Sequence, residues 1–196
     1  MIWILLLWLA AIPCAAQPAV ERTAGGFALR CEHDSLYFLR CERPAAAGSA
    51  AAGSTAVRRT AGRRPREWRL PYPVYRFLAG DIDGDGRADA LVGVVKPTRF
   101  DPRRARRLFI FRQVNGQVRP LWLGSRLGGT LEDFRYVGES PHSPGDTRGG
   151  RIRSLESTAD GRYVVAEYRW SGFGMAFDHY IIKGVDRQTA RRHFRR

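Results

Sequence analysis

Lysine is almost absent from this chain. Of its 33 basic residues only Lys96 and Lys183 are lysines, and the formal net charge is +14. The arginines cluster in residues 58–69, 103–107 and 191–196. Such clusters attract polyanions through counterion release, although a merely solvated basic surface has the same composition. No nucleic-acid-binding motif accompanies them, so specific nucleic-acid recognition is not predicted. The candidates for a polyanion contact are Arg103, Arg104, Arg106 and Arg107.

Motifs of common enzyme classes are also missing. The chain has no Gly-x-Ser-x-Gly elbow, no His-Glu-x-x-His pair and no glycine-rich phosphate loop. It has four histidines, which are His33, His142, His179 and His193. His179 directly follows Asp178, and neighbours on a strand point to opposite faces, so this pair is predicted to be a poor dyad. Glu156, Glu167 and Asp178 could furnish paired carboxylates only if the fold brings them together.

Cysteine is scarce as well. The three cysteines are Cys14, Cys31 and Cys41. If Cys14 is removed with a leader, an even pair remains, which in an exported chain indicates a possible disulfide. A symmetric hairpin would place Cys31 opposite Tyr37, so the disulfide requires a register shift through a bulge. Two buried thiols are the alternative.

Long apolar runs are limited to the N-terminus. The run there is about a dozen residues, ends at Pro13 and is short for a bilayer span. Small residues follow, so residues 1–16 are predicted to be a signal peptide, with a periplasmic or extracellular destination. The alternatives are a lipoprotein acylated at Cys14 and an uncleaved membrane anchor.

Aspartate, in contrast, is concentrated in one stretch. Residues 80–89 read Gly-Asp-Ile-Asp-Gly-Asp-Gly-Arg-Ala-Asp, with aspartates at loop positions 1, 3, 5 and 9 counted from Asp81. Clustered carboxylates repel one another unless a cation lies among them, and hard oxygen ligands at alternate positions suit Ca²⁺. Gly84 and Gly86 permit the positive-φ turns that wrap such a loop. The alternative is an Asp/Gly-rich hairpin turn without an ion.

The flanking segments favour strands and not the helices of an EF-hand. Residues 74–79 and 90–95 are β-branched or aromatic runs of strand length. Loop position 12, where an EF-hand carries a bidentate Glu, is Val92. The loop is therefore predicted to join two antiparallel strands, with Asp89 closing the site.

This combination resembles the FG-GAP/VCBS repeat of integrin-α-type β-propellers and of many exported bacterial proteins. The matching residues are 77–80, the loop 81–89 and 90–93, and strand 108–111 falls where the next strand of the repeat would. The resemblance covers residues 74–113 in a single copy. The whole chain also resembles a small group of uncharacterised exported bacterial proteins, which implies no activity. The calcium ligands implied by the repeat are Asp81, Asp83, Asp85 and Asp89 with the backbone carbonyl of Arg87.

Composition divides the remainder of the chain. Residues 17–43 form a small N-terminal β-hairpin. Residues 44–67 are rich in Ala, Gly, Ser, Thr and Arg, cannot offset their ordering entropy by burial, and are predicted to be a flexible basic linker. Residues 68–185 form the calcium-loop β domain, and residues 186–196 form a basic tail or short helix.

The predicted fold is all-β. Turn signals such as Asn115-Gly116 separate antiparallel hairpins, which form two packed sheets or two propeller-blade-like units. Strand 108–112 is apolar on both faces and is predicted to be central.

The predicted function is an exported, calcium-stabilised, β-rich binding or structural module of the bacterial envelope. Its partner would be an envelope protein or a glycan. A hydrolase acting on an envelope polymer and a polyanion-binding protein that uses the arginine clusters are the alternatives.

Overall fold

A computed structural model describes residues 21–33, 35–42, 67–99, 101–124, 127–138 and 149–196. The predicted signal peptide, Cys14, His142 and residues 44–66 of the predicted linker lie outside these ranges. The described residues form three packed four-stranded antiparallel sheets and one short helix. Each sheet runs in chain order, one strand beside the next, as in a propeller blade. The predicted all-β, antiparallel fold is therefore confirmed.

The first sheet contains β1 to β4 and is larger than the expected hairpin. In addition to the β2–β3 hairpin, β1 pairs with β2 and β4 pairs with β3. The three residues of β4 are too few to show a strand period, and they were predicted to belong to the next unit, residues 68–185. The strands are β1 (Glu21–Ala24), β2 (Phe27–His33), β3 (Leu36–Cys41) and β4 (Trp68–Leu70).

The two cysteines of the first sheet do not form the expected disulfide. The β2–β3 register places Cys31 opposite Tyr37 and Cys41 opposite Phe27. The register does shift, but only beyond Cys31 toward the turn, so the bulge does not bring the two cysteines together. Burial raises the pKa of the Cys41 thiol to about 11, which keeps it protonated at neutral pH.

The second sheet is the middle layer of the molecule. Alternate residues of its interior strand β6 point to opposite faces, and both faces are covered. Ala90, Val92 and Val94 pack toward the first sheet, whereas Leu91 packs toward the third. Residues 108–112 belong to β7, which lies between β6 and β8 and contributes to the cores on both faces, so the prediction that this strand is central is confirmed. The strands are β5 (Val74–Gly80), β6 (Asp89–Lys96), β7 (Ala105–Val114) and β8 (Gln117–Leu123).

The third sheet is followed by the helix, which covers its outer face. Asp186 caps the helix by accepting a hydrogen bond from the Thr189 amide at 3.0 Å. Ala190 and Phe194 are buried against Leu155 and Val165. No helix in the described ranges has the length and apolarity needed to cross a bilayer. The elements are β9 (Thr130–Val137), β10 (Arg151–Ser157), β11 (Tyr163–Trp170), β12 (Met175–Val185) and α1 (Arg187–Arg195).

Candidate metal centre

The aspartate-rich loop connects β5 and β6, as expected. Gly80 pairs with Asp89 where the two antiparallel strands meet the loop. Gly84 and Gly86 have φ values of 78° and 82°, a conformation that residues with a Cβ rarely adopt. The glycines therefore allow the chain to turn back on itself twice within the loop.

Asp81 organises the loop backbone. Its Oδ1 accepts a hydrogen bond from the Gly84 amide at 2.7 Å, and its Oδ2 accepts one from the Gly86 amide at 2.8 Å. Asp83 and Asp85 each accept a local bond from the amide two residues later, at 3.3 and 2.8 Å respectively. The loop is thus folded around its own carboxylates.

Asp89 is the buried member of the loop. It is 2% exposed and accepts a hydrogen bond from the Ile82 amide at 3.0 Å. Burial raises the pKa of Asp89 to about 7, and repulsion from Asp83, Asp85 and Asp81 adds to the shift. The pKa of Asp83 is raised for the same reasons, burial first. Arg112 lies 3.8 Å from Asp83 and opposes the shift there, but it does not cancel the effect of burial.

The loop brings three of its carboxylates together. Asp81, Asp83 and Asp89 each offer an oxygen, and these oxygens lie within 4.8 Å of one another. Ca²⁺ binds oxygens at about 2.3–2.6 Å, so two ligands of one ion lie at most about 5 Å apart. The three oxygens fit that limit. Asp85 does not belong to this group, and its carboxylate accepts a bond from the Arg87 amide instead.

The third sheet supports the loop from the side. Ile82 is 1% exposed and inserts into the core between the second and third sheets. The Asp81 carbonyl accepts hydrogen bonds from the Gly150 amide at 2.6 Å and from the Tyr136 hydroxyl at 3.3 Å. Gly150 and Tyr136 were not predicted, since contacts between distant segments leave no local pattern; the dipeptide Gly149-Gly150 is a weak signal in the sequence.

The relation of Asp178 to His179 was predicted wrongly. Their side chains meet, with His179 Nδ1 and Asp178 Oδ2 3.0 Å apart. The cause is a bulge in β12: His179 pairs with Glu167, and Phe177 pairs with Tyr168, so Asp178 is the extra residue. A bulge breaks the alternation of faces on which the expectation rested.

Glu167 joins Asp178 and His179, but arginines neutralise this group. Oxygens or nitrogens of the three residues lie within 4.8 Å of one another. Arg153 donates two hydrogen bonds to Glu167, at 2.8 and 3.0 Å, and Arg151 lies 3.6 Å from Asp178. The group is therefore an ion-pair network and a poor cation site.

Glu156, the third candidate carboxylate, lies elsewhere. Glu156 pairs with Val164 of β11 and shares its face of the sheet. Val164 lies three residues before Glu167 on the same strand, so Glu156 and Glu167 lie on opposite faces. The buried carboxylate of Glu156 accepts hydrogen bonds from the Ser154 hydroxyl at 2.5 Å and from the Gly129 amide. Glu156 therefore connects the start of β9 to β10 by a hydrogen bond. His142 lies outside the described residues.

The arginines proposed for a polyanion contact are largely engaged within the protein. Arg107 is 5% exposed and lies 2.8 Å from Asp101, which also pairs with Arg103 at 3.0 Å. Hydrogen bonds from Arg103 and Arg107 hold the pKa of Asp101 well below its usual range. The guanidinium of Arg106 lies 4.7 Å above the Tyr75 ring. Arg104 remains exposed.

Comparison with protein-family models, with curated proteins and with solved structures finds no match for this chain.

Proposed function

We propose that this protein is an exported, calcium-stabilised β module of the bacterial envelope that binds another envelope component. The observation that carries the calcium part is the convergence of Asp81, Asp83 and Asp89 to within 4.8 Å. The raised pKa values of Asp83 and Asp89 support it, because they reflect burial first and then repulsion among the loop aspartates, which Arg112 offsets only in part at Asp83. A bound Ca²⁺ would supply further positive charge.

The proposed role of the ion is structural. The loop belongs to the second sheet, yet its Asp81 carbonyl and Ile82 side chain contact the third. Relief of the repulsion among the carboxylates would therefore stabilise the interface between these sheets as well as the hairpin. Extracellular calcium modules of this kind bind the ion at roughly 10⁻⁴–10⁻³ M.

The remaining parts of the proposal rest on other features. Export rests on the leader pattern in residues 1–16. A binding role is preferred over hydrolysis because Glu167 and Asp178 are paired with arginines, which leaves them poorly suited to general acid or base work. The resemblance of residues 74–113 to a calcium-binding propeller repeat points in the same direction.

The test is thermal unfolding with and without calcium. At about 10 mM Ca²⁺ the expected affinity corresponds to roughly 1.4–2.7 kcal/mol, which raises the Tm of a domain of this size by roughly 3–10 °C. The double variant Asp81→Ala/Asp83→Ala should lose this rise. Asp160→Ala, in the exposed Asp-Gly turn of another hairpin, should keep it. Equal melting of the unsubstituted protein in EDTA and in calcium would contradict the proposal.

A further inference from the structure

A concavity of about 370 Å³ lies where the first and second sheets meet. We call it the aromatic pocket. None of its lining residues belongs to the aspartate loop. Its volume falls in the range of small-ligand sites, which are mostly apolar with a few polar groups. Aromatic rings and cations both line it, the rings being Trp68, Tyr72 and Phe109 and the cations Arg69, Lys96 and Arg99.

Lys96 is held at this pocket in a defined position. Its ammonium lies 4.4 Å from the centre of the Tyr72 ring and 5.5 Å from that of Phe109, and it donates to the Tyr72 hydroxyl at 3.2 Å. An ammonium has three donors, so two remain beyond the bond to Tyr72. Among the described residues, no carboxylate pairs with Lys96. A half-buried positive charge with spare donors suits an anionic ligand.

The shape of the pocket discriminates between classes of anion. It is open to solvent, so an acyl chain lying in it would remain partly in water. A sugar ring has an apolar C–H face and hydroxyls that prefer water, which matches aromatic walls with an open mouth. Charge argues against the chain's own residues 44–66 as the occupant, because that segment contains five arginines and no acidic residue.

We propose that the aromatic pocket binds an acidic sugar unit of a glycan. The carboxylate would pair with Lys96, with Arg69 and Arg99 close by. The apolar face of the sugar would lie against Trp68, since Phe109 is 5% exposed and Lys96 lies over the Tyr72 ring. This inference deepens the proposed binding role and rests on it, but it does not depend on calcium at the aspartate loop.

Calorimetric titration of the full chain tests the proposal. The probe is a hyaluronan tetrasaccharide, which carries carboxylates, and N-acetylchitotetraose of the same length serves as the neutral comparison. The acidic probe should bind and the neutral one should not. Lys96→Met keeps the stem but removes the charge, and it should weaken binding about tenfold or more. Lys183→Met is the matched control, since this second lysine also lies over a tyrosine ring, Tyr180, at 5.5 Å.

Four results would overturn the proposal: no binding of the acidic tetrasaccharide, equal binding of the neutral one, preferential binding of octanoate, or an equal loss in Lys183→Met. The calcium-dependent rise in Tm, measured on Lys96→Met, separates this proposal from the calcium one. That rise should be unchanged, so a failure at the pocket and a failure at the loop give different results.

Discussion

Asp89 is a residue at which burial and charge conflict. It is 2% exposed, and three other aspartates of the loop lie within the eight residues before it. A protein of marginal stability keeps such an arrangement only where something compensates for it. Two compensations are available: the carboxyl group binds a proton, or the cluster binds a cation.

Stability without calcium should therefore depend on the protonation of Asp89. Its folded-state pKa of about 7 is above the value of 3.8 expected of an unfolded chain, so the folded state binds the proton more tightly. This contribution to stability is fully present below about pH 4 and is lost as the pH rises through 7. Calcium is first removed by chelation and dialysis. Between pH 5 and 7.5 the Tm of the unsubstituted protein should then fall further than the Tm of Asp89→Asn.

Asp89→Asn is the informative comparison because it removes one titrating group and leaves the others in place. Parallel Tm profiles for the two proteins would contradict the assigned pKa. Added calcium should flatten the profile of the unsubstituted protein at neutral pH, since the ion replaces the proton.

Gly149 and Gly150, which directly precede β10, join the loop to the third sheet. A Cβ on Gly149 would lie 2.6 Å from the Ile82 carbonyl oxygen, which is closer than a real contact allows. Because the obstacle is backbone, the two segments must separate to make room for it. The loop and the residues that lead into β10 are thus in contact through a position that accepts no side chain.

Gly149→Ala should weaken this junction. Overpacking against backbone typically costs about 1–3 kcal/mol, which chemical denaturation can measure. The calcium-dependent rise in Tm should also shrink, because the carboxylates are carried on the displaced loop. Gly138→Ala is the control, since a Cβ there meets nothing within 4 Å. Equal stability of the two variants would show that β10 does not support the loop.

At the scale of the whole molecule, the second sheet shares a core with each of its neighbours. Phe111, fully buried, packs in the core with the first sheet, and Trp68 of β4 lies 5.6 Å from it, ring centre to ring centre. Phe134, also fully buried, belongs to the core with the third sheet. Since β6 and β7 contribute to both cores, the loss of either should destabilise all three layers.

Phe111→Ala and Phe134→Ala should each reduce the free energy of unfolding by about 3–5 kcal/mol, in a single transition. Phe173→Ala should change it by less than about 0.5 kcal/mol, because that side chain is 88% exposed. Tryptophan fluorescence and circular dichroism, followed in the same denaturant series, report on different parts of the fold. Separate midpoints for the two probes would show that the sheets unfold independently.

Local patterns account for the parts of this fold that the sequence predicted. Alternating apolar residues and the Asn115-Gly116 turn identify strands and hairpins because they act between near neighbours. The bulge at Asp178, the pairing of β4 with β3 and the bonds from Gly150 and Tyr136 to the loop were not predictable in this way. The last two depend on segments that are far apart in the chain, whereas the bulge lies between the neighbouring strands β11 and β12, where no residue pattern marks it. The aspartate loop was found because its ligands are contiguous, whereas the aromatic pocket combines residues of four strands and two connections.

The two lysines have a practical consequence for labelling. Lys96 and Lys183 are the only side-chain amines of the chain, and each lies over a tyrosine ring. Coupling of a dye, biotin or resin through amine-directed reagents would therefore place a bulky group at the mouth of the aromatic pocket in every molecule modified at Lys96.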